Sequence, residues 1–200
     1  MIELVYPVDS KVPVLPNATV ATAGTSRKKK ASCDEMFPVI QEDGLVVAMA
    51  GRAYCHSGSH LLHPVVHLHI IDRKERLLLQ KRSQKKDLQP GKWDTSVGGH
   101  VRYGESVMEA LFREAREEVG LTEFNPIYLG SYRYDTEKDS EYVIMFAAVG
   151  SFDLHPDRDE VDECRPWTLR EIEKGIREDV FTSNFASEYR QIKSQLLSLL

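Results

Sequence analysis

Cysteine is scarce in this chain, and the three present, Cys33, Cys55 and Cys164, form no CxxC pair. That excludes a disulfide scaffold and argues against a cysteine-based zinc site. No run reaches eighteen apolar residues, so no segment has the length to span a bilayer. The opening stretch, 1-MIELVYPVDSKVPVLPNATVATAG-24, carries acids early and no basic region ahead of an apolar core, which is not a secretory-signal pattern. Basic charge is also in deficit: 26 Lys and Arg against 31 Asp and Glu leave a formal charge of −5. A protein that holds nucleic acid by bulk electrostatics carries the opposite sign. These absences lead to the expectation of a cytoplasmic protein with neither a membrane nor nucleic acid as its partner; a homodimer stays open.

What is present is a 42% hydrophobic, 28% charged chain of 200 residues, enough for one domain with a substantial core and an appendage. Residues 1–33 form the appendage. Pro7, Pro13 and Pro16 break its only apolar stretch, and a small, polar segment then turns basic at 27-RKKK-30. It reads as an extension that is loosely held or docks on its own domain or a partner, and the basic run as a solvated turn or a phosphate contact. From residue 34 to 200 the texture is compact. Two short strands are expected within 36–52 around Glu42-Asp43-Gly44, then a hairpin of 64–72 and 76–82, then a turn-rich stretch at 83–100. A helix starts near Glu105 or Ser106, where Ser106 and Glu109 have capping-box spacing, and stops at Gly120. Strands follow at 126–135, 141–150 and near 163–167, with helices over 169–178 and toward 200. The alternation indicates an α/β or α+β fold with a mixed sheet.

Most of the chemistry sits in 99-GHVRYGESVMEALFREAREEVGL-121. Glu114, Glu117 and Glu118 are spaced i, i+3, i+4, so they project from one side of the helix, at the edge of the stripe built by Val107, Leu111 and Ala115. Clustered carboxylates repel, and a hard divalent cation relieves that repulsion while suiting a phosphate-bearing substrate. Helix pattern alone leaves a second reading, an acidic solvent face laced by Arg113 and Arg116. Gly98-Gly99 and Gly104 favour the first, because they let a loop turn tightly before the helix and offer a backbone carbonyl.

This stretch resembles the Nudix box: Gly99, five residues, Glu105, seven residues, then 113-REAREEVGL-121, with every fixed position filled. The resemblance implies an α/β/α sandwich with a mixed β-sheet and hydrolysis of an organic or nucleoside diphosphate linked to a further group. It implies Mg²⁺ or Mn²⁺ bound by Glu117 and Glu118, with Glu114 as a further ligand or water-orienting residue and the Gly99 carbonyl joining. One of these glutamates would serve as base, and Glu105 and Arg113 would pin loop to helix. Glu141 and Glu160 are candidates for an auxiliary ligand or base.

Six of the seven histidines lie between residues 56 and 100. His67 and His69 alternate on one strand and are expected as satisfied, partly buried rings. The segments 62-LHPVVHLHIID-72 and 91-GKWDTSVGGHVRYGES-106 are similar to the corresponding parts of isopentenyl-diphosphate isomerase. That resemblance implies a metal cluster of His56, His63 and His100, with acidic ligands near Asp139 and Glu141. The isomerase uses a cysteine two residues before the loop histidine, and here that position is Gly98, which has no acid–base group. Hydrolysis is therefore the expected reaction. An isomerase-like enzyme and a non-catalytic Nudix-like ligand-binding module are the alternatives.

Overall fold

A computed structural model describes residues 1–7, 15, 35–86 and 89–199. The basic run 27–30 and Cys33 lie outside the described residues.

The core is a seven-stranded mixed sheet. Its centre is β3 (Leu62–Ile71), buried at all ten positions, which explains why its sequence is apolar on both faces apart from its histidines. It lies parallel to β8 (Ser140–Val149), pairs antiparallel with β6 (Val97–His100), and meets β4 (Leu77–Arg82) at the hairpin end. β7 (Ile127–Asp135) extends the sheet beyond β8, while β5 (Trp93–Asp94) and β9 (Val161–Trp167) flank β4. A separate hairpin of β1 (Met36–Ile40) and β2 (Val46–Gly51) leads into a single turn, α1 (Arg52–Cys55). Residues 1–7 dock on it: Val5 exchanges backbone hydrogen bonds with Gly44 and Val46 at 3.0 and 2.9 Å.

The period-2 alternation of β3 divides the interior into two layers. Val66, Leu68 and Ile70 face α2 (Val107–Val119) and pack with Ala110, Leu111, Ala115 and Val119. Val65 faces the other way, toward Val143, Met145 and the helices α3 (Leu169–Arg177) and α4 (Ser183–Ser198). Helices on both faces of a mixed sheet make an α/β sandwich. The capping box of Ser106 and Glu109 is formed, and Gly120 closes α2 with φ of 71°, the left-handed geometry glycine adopts without strain. Among the described residues no helix is long and apolar enough to cross a membrane.

Two expectations need correction. The 83–100 stretch contains two strands rather than turns alone, and Gly98 and Gly99 lie inside β6, opposite His67 and Val66. Their lack of a side chain serves close packing, not a tight turn; the turn falls at Gly104, with φ of 85°.

Candidate active site

The register of three adjacent strands assembles one end of the sheet. His63 on β3 stands beside Glu141 on β8, and Val65 stands beside His100 on β6. α1 then turns the chain so that His56 closes over them. One ligand atom from each of His56, His63 and His100 falls within 4.8 Å of the others, and His63, Asp139 and Glu141 form an overlapping group. Phe37 of β1 supports the rings from behind, stacked on His100 at 4.4 Å and on His63 at 5.4 Å between centroids.

The histidine hydrogen bonds bear on metal binding. His63 Nδ1 donates to the Leu61 carbonyl at 2.8 Å, and His56 Nδ1 pairs with Asp139. Both leave a lone pair on Nε2, and Nε2 of His56, His63 and His100 is buried without a hydrogen-bond partner among the described residues. Three orphaned imidazole nitrogens in a pocket also lined by two carboxylates fit a divalent cation, because neutral nitrogen and anionic oxygen are what such ions take. Burial holds His63 below its ordinary pKa and His100 well below it, so both are neutral. Arg52 interferes at one point: its Nη1 lies 3.2 Å from His100 Nδ1 and pushes in the same direction. For His100 to offer Nε2, its proton must move to Nδ1, where Arg52 now donates.

The glutamates lie on the other side of β6. Glu118 is 7% exposed and accepts hydrogen bonds from Gln80 Nε2 and the Gly98 amide, both at 3.0 Å. Burial pushes its pKa up to about 8, and burial also raises Glu114. Glu117 is about half exposed, so the triad is graded from core to solvent rather than uniformly held against the sheet. Arg113 organises the group. Its guanidinium forks onto Glu105 at 2.7 and 2.8 Å, reaches Glu114 at 2.5 Å and Glu117 at 3.3 Å, and donates to the His100 carbonyl at 2.8 Å. That last bond ties the two clusters together. Gly99 lies directly beneath Glu114.

Glu141 and Glu160 are separated by their surroundings. Glu141 belongs to the histidine pocket, 3.8 Å from His100 Nε2, and burial raises its pKa to about 7. Glu160 is half exposed and paired with Lys86 at 3.0 Å. Sequence reasoning missed Arg52 and Gln80. It also missed Glu188, which holds His67 and His69. A signal for Glu188 was present: it lies on the stripe of Phe185, Tyr189, Ile192 and Leu196, where an acid needs buried partners.

The NUDIX domain family profile matches residues 61–185, more than half the chain. The chain belongs to the Nudix family. It is 32% identical over 142 residues to an isopentenyl-diphosphate Delta-isomerase of Mycolicibacterium vanbaalenii, covering 66% of this chain and 78% of that one. It is 31% identical over 154 residues to an uncharacterised Nudix hydrolase of Yersinia pestis, covering 76% and 82%. A solved structure from Deinococcus radiodurans superposes with a TM-score of 0.69 at 22% identity, covering 78% of this chain and 98% of that one, which supports the shared fold. Nudix membership and the His/Asp/Glu cluster together give the chain the equipment for metal-assisted diphosphate chemistry.

Proposed function

We propose that this Nudix protein hydrolyses an organic or nucleoside diphosphate, with Mg²⁺ or Mn²⁺ as its cofactor. The supporting observation is the carboxylate set Glu114, Glu117 and Glu118 standing across β6 from the His56, His63, His100, Asp139 and Glu141 pocket. A bound divalent cation supplies charge neutralisation on the diphosphate and a lowered pKa for coordinated water. Glu117 and Glu118, with Glu114 and the Gly99 carbonyl, would hold it. Glu118 is the group best placed to take a proton from the attacking water, since its carboxylate is fixed by Gln80 and the Gly98 amide. Arg113 keeps Glu105, Glu114 and the end of β6 in a fixed relation, so that the reacting groups are aligned before substrate arrives.

The histidine pocket and the isomerase-named relative favour a second reading, isomerisation of an isoprenoid diphosphate. Gly98 weighs against it. The test is phosphate or nucleotide release across a panel of diphosphates with Mg²⁺, with and without EDTA, beside an assay for interconversion of isopentenyl and dimethylallyl diphosphate. Metal-dependent release without interconversion supports hydrolysis. Interconversion at enzyme-like rates reverses the ranking, and tight binding with no turnover favours a ligand-binding module.

A further inference from the structure

One buried polar system has no part in the reading above. Glu188 of α4 is fully buried and accepts three hydrogen bonds, from His67 Nδ1 at 2.8 Å, His69 Nε2 at 2.7 Å and the Tyr132 hydroxyl at 2.8 Å. A buried carboxylate survives only with such partners, because its desolvation costs several kcal/mol. His69 is wholly enclosed, its other nitrogen 3.4 Å from the Thr95 hydroxyl, and its role ends in the core. His67 differs. It forms the open end of the network, 11% exposed, and its Nε2 bonds to none of the described residues. The ring also fills the space beside Gly98: a Cβ on Gly98 would stand 3.3 Å from His67 Cδ2 and 3.5 Å from Nε2. The amide of that same glycine donates to Glu118. Gly98 thus touches both groups, His67 on the α4 face of the sheet and Glu118 through its amide.

We propose that His67, oriented through Nδ1 by Glu188, is a catalytic residue that presents Nε2–H to the diphosphate of the bound substrate. The inference rests on the hydrolase reading. Water attacks phosphorus, a new O–P bond forms and the bridging P–O bond breaks. Its electron pair passes to the leaving phosphate oxygen, which takes the Nε2 proton. The proton lost by water goes to a carboxylate of the Glu114–Glu118 group, and solvent reprotonates the imidazole. The groups around His67 favour the proton-bearing form. Burial pushes the imidazolium down, but Glu188 from α4 pushes it up further, with Asp94 of β5 and Glu141 of β8 adding to this, and the result is about 9. Tyr132 of β7 and His69 share the Glu188 carboxylate, and His100 of β6 is neutral. A carboxylate that holds one imidazole nitrogen while the ring's other edge reaches solvent is the arrangement that fixes an acid–base imidazole in one orientation.

The experiment uses the full-length protein with Mg²⁺ and methylenediphosphonate, a diphosphate that cannot be hydrolysed, as probe. Histidine ¹⁵N resonances are followed during titration, and His67→Gln and Glu188→Gln are compared with the parent in hydrolysis and thermal melting. The expected result is a shift of the His67 Nε2 resonance on adding the probe. His67→Gln should lower kcat by roughly 10²-fold and lose the alkaline limb of the parent's rate profile. An Nε2 resonance unmoved by bound probe, or a folded His67→Gln with the parent's rate and pH profile, overturns the proposal. Because the titration uses the unsubstituted protein, misfolding of either variant leaves the question decided. If the parent binds the probe with the Nε2 shift but hydrolyses nothing, the hydrolase reading and the acid role fall together while the phosphate contact stands. If the parent hydrolyses and His67→Gln does so equally, only the role of His67 falls.

Discussion

A methyl group on Gly99 would stand 2.0 Å from the carboxyl carbon of Glu114. The backbone of β6 and a carboxylate of α2 therefore meet at a distance that only glycine permits. Gly99→Ala is expected to drive Glu114 off its position beside Arg113, because the glutamate is the movable partner and the strand is not. Overpacking of this kind costs about 1–3 kcal/mol, so the variant should fold with a lower melting temperature. Turnover of any diphosphate substrate should fall by roughly 10²-fold, a scale comparable to loss of an acid–base group. Unchanged turnover in Gly99→Ala would remove Glu114 from the machinery.

Glu118→Gln separates stability from activity. The amide oxygen of glutamine can accept from both Gln80 and the Gly98 amide, since both bonds reach the same oxygen of Glu118. Burial raises the Glu118 pKa to about 8, so in metal-free protein this side chain costs stability as pH rises toward and through that value. A neutral amide avoids the cost. Chelator-treated Glu118→Gln should therefore melt at or above the parent temperature at pH 8, yet lose about 10²-fold or more in kcat. A variant that is inactive because it is unfolded would show a lower melting temperature instead.

Much of the site was legible because helix chemistry is local. Capping at Ser106 and Glu109, the stop at Gly120 and the i, i+3, i+4 spacing of the glutamates all follow from contacts within one turn or two. The strands of β3, β4, β7 and β8 were readable from apolar runs bounded by turns. β5 and β6 were not, because Trp93–Asp94 and Val97–His100 are too short for alternation and contain the paired glycines. Glu188 marked itself only as an acid on the apolar stripe of α4, and what holds it was hidden for a different reason. Its partners lie 119 and 121 residues away on β3, and no periodicity within α4 announces a partner on a sheet. Arg52 likewise acquires its place at His100 only when α1 folds over β6.

Arg52 sets a handicap on the histidine pocket that a substitution should lift. Its guanidinium is held by Glu35 at 3.2 Å and by contact with His100 Nδ1, and it is about half exposed. Removing it frees the Nδ1 side of His100 and takes a positive charge away from an incoming cation. An exposed charge interaction is worth about 0.2–1 kcal/mol, so Arg52→Gln should tighten Mn²⁺ or Zn²⁺ binding by up to about fivefold. Calorimetric titration of the metal into chelator-treated protein measures this. Weaker binding in Arg52→Gln would mean that the arginine supports the pocket rather than opposing it.

The His67–Glu188 pair should also leave a signature in stability against pH that does not depend on substrate. The folded pKa of His67, about 9, lies above the ordinary 6.5, so its contribution is full below about pH 6.5 and fades as pH rises through 9. Glu188 lies well below its ordinary value of 4.5, because the histidines outweigh the cost of its burial. Its contribution is full above about pH 4.5 and fades in acid. The two descriptions concern one interaction and are not to be added. Between pH 6.5 and 9 the parent should lose up to about 3 kcal/mol through His67, the free energy of a shift of this size. Glu118 and Glu141, raised by burial, slope the same way, so the informative quantity is the difference from a variant. Glu188→Gln should be less stable than the parent at pH 6.5, and the gap should narrow toward pH 9.5. Urea denaturation of both proteins at closely spaced pH values tests this, and a gap that stays constant across the range would show that His67 carries no charge in the folded protein.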